Sequence, residues 1–510
     1  MAPVSARRRW WALSSLFLGV LVIGLDVTIL NVALPTLAVD LDASTADLQW
    51  IVDAFLITLA ALLLPAGILG DRIGRKKTIL AGLVIFGAAC ALAATADTAE
   101  VLIAARALMG VGAAILTPVS MAVIPSLFEG AERTRAIALL TGGMALGMPL
   151  GPLLGGWLLE HYQWGSVFLI NLPLIALALV AIAILLPESF DRNAPRLQPL
   201  SVSVSVLGLG AFVYAVIEAP LEGWTSPATL GFGLGGLALI GLFALLQVRA
   251  AAPMVDFGLF RDRAFLWGSL TATGVSMVMM GALFLVPQYL QAVLGFDAFD
   301  TGLRLLPMIG GLMVGGLAAE RLADRVGHRA AIVGGMGLLA VGCVTGAFTT
   351  ADTGYGLAAT WMALIGAGFG MALVPSTDAV LGSLRPERAG VGSALMQTMR
   401  QAGGAVGVAM LGSIASTVYR DRLELPPLPP EAARAAEDSV SGAAAVAEAT
   451  GSSAVADTAF AAFADAMAVV LIVSAVLAGV VKVAAGLRFP KRLVSEGDEA
   501  QSLHDSSRAA

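Results

Sequence analysis

Long apolar stretches recur along almost the whole chain, and they constrain its fold more than any other feature. A helix of about 20 mostly apolar residues crosses a bilayer core about 30 Å thick. Stretches of this length, each bounded by charged or turn residues, occur at 12–36, 48–70, 77–96, 101–125, 134–160, 165–187, 200–219, 228–249, 265–293, 299–320, 329–349, 355–380, 390–418 and 460–486. The sequence therefore predicts an all-α membrane protein with 14 transmembrane helices.

The composition excludes a soluble domain and several kinds of site. Hydrophobic residues make up 58% of the chain and charged residues 13%, whereas soluble proteins average about 45–50% and about 25%. Cys90 and Cys343 lie inside apolar stretches, which leaves neither a disulfide framework nor a metal site to argue for. No lysine follows a glycine as a phosphate-binding loop requires, and the three histidines are scattered. We expect no enzymatic activity, no metal and no nucleic-acid partner.

The positions of the positive charges predict the orientation of the chain. Lys and Arg residues are retained on the cytoplasmic side of a membrane protein. With 14 helices, most of the 30 Lys and Arg residues fall on one side, from the Arg7–Arg9 group to Lys482 and the residues after it. We therefore expect a multi-pass protein of the inner (cytoplasmic) membrane with both termini in the cytoplasm.

A short motif recurs about half a chain length apart. The segment LGDRIGRK at 69–76 reappears as LADRVGHR at 322–329, and both copies follow the second helix of a six-helix bundle if helices seven and eight are an inserted pair. Such parallel repeats are typical of secondary transporters. We predict an N-terminal bundle at 1–190, a linker with the inserted pair at 191–263, a C-terminal bundle at 264–489 with a long outer loop at 419–459, and a polar cytoplasmic tail at 490–510.

Several segments carry a resemblance to a known family. They are the two repeated turns, LDVTILNVALP at 25–35, RALMGVG at 106–112 and GMPLGPLLGG at 147–156. Together they resemble the 14-helix drug/proton antiporter family (QacA/EmrB type) of the major facilitator superfamily. The resemblance implies export of lipophilic or cationic drugs and antibiotics by alternating access. It also implies a proton gradient in place of a cofactor, with protons and the lipid bilayer as partners. We expect the protein to function as a monomer.

Asp26, Asp53 and Arg106 are the candidate residues for proton coupling. An ionised carboxylate is costly in the middle of a transmembrane helix, so Asp26 is interpreted as a proton site or as a structural acid paired with a buried arginine. Asp53 is either a second proton site or a wet acid at the membrane interface. The resemblance implies a coupling role for Arg106, and the alternative is an arginine that bridges helices through backbone carbonyls. Where the family usually has Gln, this chain has Met109, which leaves Arg106 reaching Asp26 or extending into a water-filled cavity.

Helix five and the two repeated turns are the other conspicuous motifs. Glycines spaced four apart predict a close helix contact, and the wider pattern resembles the antiporter signature of the superfamily. The helix-five residues are Gly147, Gly151, Pro152, Gly155 and Gly156. The turns combine acids with guanidinium groups at helix ends, which predicts a cytoplasmic latch; marking of topology by positive charge is the alternative. The latch residues are Asp71, Arg72, Gly74, Arg75, Asp324, Arg325 and Gly327.

A third set of residues is predicted to line the substrate cavity, although ordinary helix packing is the simpler explanation for its methionines, glutamines and arginine. The set comprises Asn31, Met277, Met280, Gln288, Gln397, Arg400 and Gln401. Helix thirteen departs from the multidrug pattern, because Arg400 stands in a stretch where such proteins carry acids. Two alternatives therefore remain: an exporter dedicated to one metabolite or antibiotic, and a lipid-translocating protein without proton coupling.

Overall fold

A computed structural model describes residues 6–190, 197–250, 253–384 and 389–490, and within these ranges the chain forms helices and no strands. The helices are α1 Ala6–Asp40, α2 Thr45–Ile73, α3 Arg75–Ala94, α4 Ala99–Leu127, α5 Gly130–His161, α6 Ser166–Leu169, α7 Asn171–Leu185, α8 Pro199–Glu222, α9 Pro227–Arg249, α10 Arg263–Gln288, α11 Ala298–Arg304, α12 Leu306–Val326, α13 His328–Gly346, α14 Tyr355–Gly382, α15 Ala389–Arg422, α16 Pro430–Asp438, α17 Val440–Thr450 and α18 Ser453–Arg488. A 3-10 turn at Phe257–Arg261 precedes α10, and a π-helical turn at Tyr289–Val293 continues it.

The prediction of 14 spans is confirmed. Fourteen helical segments of the described chain are long and apolar enough to cross a membrane, and each overlaps one predicted stretch. The sixth span joins α6 to α7, the ninth joins α10 to the π-helical turn, and the tenth joins α11 to α12. Part of the predicted linker (191–196 and 251–252) and the tail from 491 onwards lie outside the described residues.

Polar residues fix where several helices begin. Ser44 forms a capping box with Asp47 at the start of α2, and Asp262 and Asp297 accept backbone N–H bonds at the starts of α10 and α11. These side chains satisfy donors that the first helical turn leaves free. These caps therefore set the first residues of α2, α10 and α11.

The helices pack into two groups. In the first, α1 packs against α5 and α7, and α4 packs against α2 and α3; in the second, α14 packs against α12 and α13, while α15 packs against α10 and α18. Helices α8 and α9 form a pair, of which α8 also contacts α2 and α15. Most side chains of α9 are exposed, including Leu234 and Val248. This arrangement is two six-helix bundles with an inserted pair at their side.

The two ends of the molecule differ. We call the end with the turns at Arg72–Arg75 and Arg325–Arg329 the basic end, and the opposite end the distal end. At the distal end the predicted long loop is ordered as a hairpin of α16 and α17, in which Asp438 accepts a hydrogen bond from Arg420 at 3.0 Å. Lys482, which is predicted to lie on the cytoplasmic side, stands six residues before the end of α18 at Arg488, in a helix of 36 residues that is longer than a bilayer core requires.

Candidate functional site

A buried ion pair joins the first bundle's α1 and α4. Arg106 Nη1 lies 2.5 Å from Asp26 Oδ2, and the two side chains are 2% and 0% exposed. Arg106 Nε donates to the carbonyl of Ile51 on α2 at 3.1 Å, and its guanidinium lies 4.5 Å from the centre of the Phe55 ring. A carboxylate, a carbonyl and an aromatic face thus surround the cation. Of the two positions predicted for Arg106, the one that reaches Asp26 is found.

Two carboxyl groups of this region keep oxygens without partners. The Oδ1 atom of Asp26 and both carboxyl oxygens of Asp53 are buried and have no hydrogen-bond partner among the described residues. Asp53 is 0% exposed, so its interpretation as a wet acid at the interface is wrong. Buried polar atoms are normally hydrogen-bonded, and an ionised Asp53 has nothing nearby to compensate its desolvation. Asp53 is therefore a position where a bound proton would lower the electrostatic cost of burial, whereas the charge of Asp26 is compensated by Arg106.

A small cavity lies beside the ion pair, between the bundles. Its volume is about 10 Å³, and its lining includes Arg106, Asn31 and Met280, so it has room for about one water molecule. Asn31 donates to the carbonyl of Val27 on its own helix at 2.8 Å. Two of the predicted cavity residues, one from each bundle, are thus brought to the Asp26–Arg106 pair.

The other predicted cavity residues are not brought to this pair. Gln288 is buried and donates to the carbonyl of Phe284 on its own helix, whereas Gln291 donates across the bundles to the carbonyl of Val32 at 2.8 Å. The backbone of Met277 packs closely against α15 at Gly407, where a Cβ atom would overlap the Met277 carbonyl. The remaining three, Gln397, Arg400 and Gln401, are partly exposed on α15, and no described residue is recorded as their hydrogen-bond partner.

The helix-five glycines permit two very close helix contacts. A Cβ atom at Gly147 would lie 2.5 Å from the backbone nitrogen of Leu25, and Cβ atoms at Gly151 and Gly155 would overlap α1 at Thr28 and Ile29. These three glycines therefore hold α5 directly against the segment of α1 that carries Asp26.

The second contact of helix five crosses between the bundles at the distal end. A Cβ at Gly156 would lie 2.6 Å from the Cα atom of Phe299, and a Cβ at Gly302 would overlap the carbonyl of Pro152. Nearby on α2, the Gln49 amide donates to the carbonyls of Val408 and Ala409 on α15 at 3.1 and 3.0 Å. These contacts, together with that of Gln291, close the distal end.

The two repeated turns at the basic end are separate from each other in the described part of the chain. In the first, Arg75 pairs with Asp71 at 2.8 Å, and Gly74 has a φ of +117° with Glu188 packed where a side chain would stand. Arg72 is exposed. In the second, Gly327 has a φ of +89°, and Asp324 and Arg325 are exposed. No described contact bridges the two turns, so a latch between the bundles is not formed in this conformation.

Comparisons with known proteins agree in one family. Residues 16–408 match the family described as the Major Facilitator Superfamily. The chain is 36% identical over 488 residues to the multidrug efflux pump LfrA of Mycolicibacterium smegmatis, covering 94% of this chain and 96% of that protein. It is 33% identical to the tetracenomycin C resistance and export protein of Streptomyces glaucescens, over 84% of this chain and 82% of that one.

A solved structure supports the same fold. The structure is that of a bacterial homologue of the human lysosomal transporter Spinster, in an inward-facing and unoccupied conformation. It superposes with a TM-score of 0.68 at 19% identity, over 96% of this chain and 99% of the other.

Proposed function

The chain belongs to the Major Facilitator Superfamily, and from this premise we propose that it is a proton-coupled antiporter that exports lipophilic or cationic drugs and antibiotics across the cytoplasmic membrane. Its relatives include a multidrug efflux pump and an antibiotic resistance and export protein. The observation that carries the coupling is the buried Asp26–Arg106 pair, a charged pair held inside the membrane by three helices of one bundle. Ionisable groups at this depth are costly and mark proton or substrate pathways.

Protonation of Asp26 changes what Arg106 can contact. A proton on the carboxyl group neutralises it and removes the main partner of the guanidinium, and leaving one member of a buried pair alone costs about 3–5 kcal/mol. The guanidinium group of Arg106 is then driven towards another partner. Because Arg106 Nε also donates to the carbonyl of Ile51 on α2, its movement affects α2. Since α2 contacts α15 of the other bundle, a change at Asp26 reaches the surface between the bundles.

Alternating access is proposed to exchange two closures. The distal closure is built from α5 with α11 and from α2 with α15. The turns with Asp71 and Asp324 at the basic end do not contact each other in the described part of the chain, and they are proposed to form the opposite closure when the distal end opens. We propose that the basic end faces the cytoplasm, as the positive charges predict, and that one chain suffices for transport. The predicted boundaries at 190, 263 and 489 are retained as the bundle limits.

A dedicated exporter of one metabolite or antibiotic is the second candidate. Two observations favour it: α15 carries Arg400 and no acid in the stretch beside it, and one relative is named for resistance to and export of tetracenomycin C. A cavity that lacks acids has fewer groups with which to attract varied cations. The two candidates share the proton-coupling site and differ in the range of compounds exported.

Dye efflux from cells tests the proposal. Cells expressing the wild type, Asp26→Asn or the exposed control Asp97→Asn are loaded with cationic and neutral dyes, at matched membrane expression, with and without a protonophore. Export is expected in the wild type and the control, and it should be lost in Asp26→Asn or with the protonophore. Efflux that survives both treatments would refute proton coupling and favour the lipid-translocating alternative. Protection against a single antibiotic without dye efflux would favour the dedicated exporter.

A further inference from the structure

Arg400 stands on the face of α15 that meets the other bundle. Gly404 is one helical turn further along α15, and a Cβ there would lie 3.9 Å from Cδ1 of Leu56 on α2 and 3.1 Å from Cγ of Met280 on α10. Side chains four residues apart share one face of a helix, so Arg400 is directed towards the same gap between α2 and α10. Leu56 and Met280 also line the small cavity beside the buried ion pair. Arg400 therefore lies one turn nearer the basic end than this cavity.

No described residue neutralises this guanidinium group. Arg400 is partly buried, and it forms neither a hydrogen bond nor an ion pair with the described part of the chain. Helix α10 carries no acid, and the nearest acid of α2 is Asp53, three residues on the distal side of Leu56. Because Arg400 is four residues on the basic side of Gly404, the two charges are about 10 Å apart along the helices. An unpaired cation on a membrane-spanning helix marks a substrate or ion pathway.

Two glutamines add neutral donors beside this cation. Gln397 lies three residues before Arg400, and Gln401 lies four residues after Gln397, so the three side chains share one side of α15. Both amides are partly exposed, and neither donates to a described residue. A guanidinium group flanked by amide N–H donors suits a carboxylate or a similar oxyanion, which accepts several charge-assisted hydrogen bonds.

The facing surface of α10 is apolar. Leu270, Met277 and Met280 follow one another at spacings of seven and three residues and therefore share one face of this helix. Leu270 is 37% exposed, and the two methionines are partly exposed. Since Met280 meets α15 at Gly404, this face is turned towards the side of α15 that carries Arg400. An apolar wall opposite a cation matches a ligand with a lipophilic body and one anionic group.

We propose that Arg400, with Gln397 and Gln401, binds the carboxylate or a similar oxyanion of a lipophilic export substrate, whose body lies on the apolar face of α10. This assignment rests on the proposed export function, and among lipophilic compounds it singles out those that carry an acid. The ligand enters from the basic end, because the contacts of Gly156 and Gln49 close the distal end. A lipophilic cation fits less well beside Arg400, because like charges repel.

Ligand binding to the purified full-length protein tests this assignment without requiring transport. Fluorescence titration at neutral pH measures the Kd of pyrenebutyrate and of its neutral amide, which share the ring system and differ in charge. The proteins are the wild type, Arg400→Met and Arg400→Lys. Arg422→Met is the matched control, because Arg422 is an exposed arginine at the distal end of the same helix. Methionine keeps the apolar stem and removes the charge, and circular dichroism and the Tm without ligand confirm that each variant is folded.

The wild type should bind the carboxylate at least about tenfold more tightly than the amide, the low end of what a hydrogen bond to a charged group contributes. Arg400→Met should lose this preference, and Arg422→Met should keep it. Arg400→Lys should bind the carboxylate more tightly than Arg400→Met, because it retains the charge without the forked geometry. The assignment would be overturned by an equal preference in Arg400→Met and the wild type, by an equal loss in Arg422→Met, or by the reverse order of the lysine and methionine variants.

The result is distinguishable from that of the dye-efflux test. No export by the wild type, with selective binding of the carboxylate intact, would refute the proposed function and leave a binding site for acids. Proton-driven dye export by a wild type that binds the carboxylate no more tightly than the amide would refute the role of Arg400 alone.

Discussion

Gly156→Ala should open the distal end of the protein. The added Cβ would lie 2.6 Å from the Cα of Phe299, whereas ordinary carbon–carbon contacts are about 3.5–4.0 Å. Helices α5 and α11 would therefore have to separate by about 1 Å. Overpacking of this kind costs about 1–3 kcal/mol. Because the clash exists only when the bundles meet, it should shift the equilibrium away from the distal-closed state by about 5- to 150-fold.

Distances between spin labels measure this shift. Labels at Asp97 and Asp352, which are exposed in distal turns of the two bundles, should show a longer distance in Gly156→Ala and also in Gly302→Ala. Gly142→Ala is the matched control, because nothing lies within 4 Å of its added Cβ. If Gly156→Ala and Gly142→Ala give the same distance distribution, the α5–α11 contact does not hold the distal end closed.

Three further predictions concern other contacts. Gln49→Leu removes two hydrogen bonds to α15, each worth about 1 kcal/mol, so the same labels should separate; an unchanged distance would contradict this. Burial raises the pKa of Asp438 more than Arg420 lowers it. As the pH rises from 3.8 through the raised pKa, ionisation of Asp438 should weaken the docking of the α16–α17 hairpin. Hydrogen exchange in α17, corrected for intrinsic rates, should therefore accelerate over this pH range in the wild type but not in Asp438→Asn. Met109→Gln should keep protonophore-sensitive efflux, because Arg106 retains its carboxylate partner.

The spans and the central ion pair are predictable from sequence because both follow from the cost of exposing polar groups to lipid. Asp26 and Arg106 each need a partner in the membrane, and the two meet. The other partners of Arg106 are not predictable. Every residue has a backbone carbonyl like that of Ile51, and Phe55 is one apolar residue among many in α2. Such contacts depend on the rotation of each helix, which hydropathy does not specify.

A local irregularity explains why two glutamines near the end of α10 make different contacts. Gln288 and Gln291 are three residues apart, a spacing at which regular α-helical side chains share a face. The π-helical turn at Tyr289–Val293 lies between them and adds a residue to the turn, which rotates Gln291 towards Val32 while Gln288 stays on its own helix.

Helix α5 links the proposed proton site at Asp26 to the distal closure through two adjacent faces. Gly147, Gly151 and Gly155 follow each other at intervals of four, so one face of α5 lies against α1 on either side of Asp26. Gly156 is one residue further along and therefore faces a different direction, towards Phe299 of the other bundle. A helix with both contacts cannot follow a movement of α1 without changing its approach to α11. The two adjacent glycines at 155 and 156 thus give a physical reason why protonation in the N-terminal bundle would change the α5–α11 contact between the bundles.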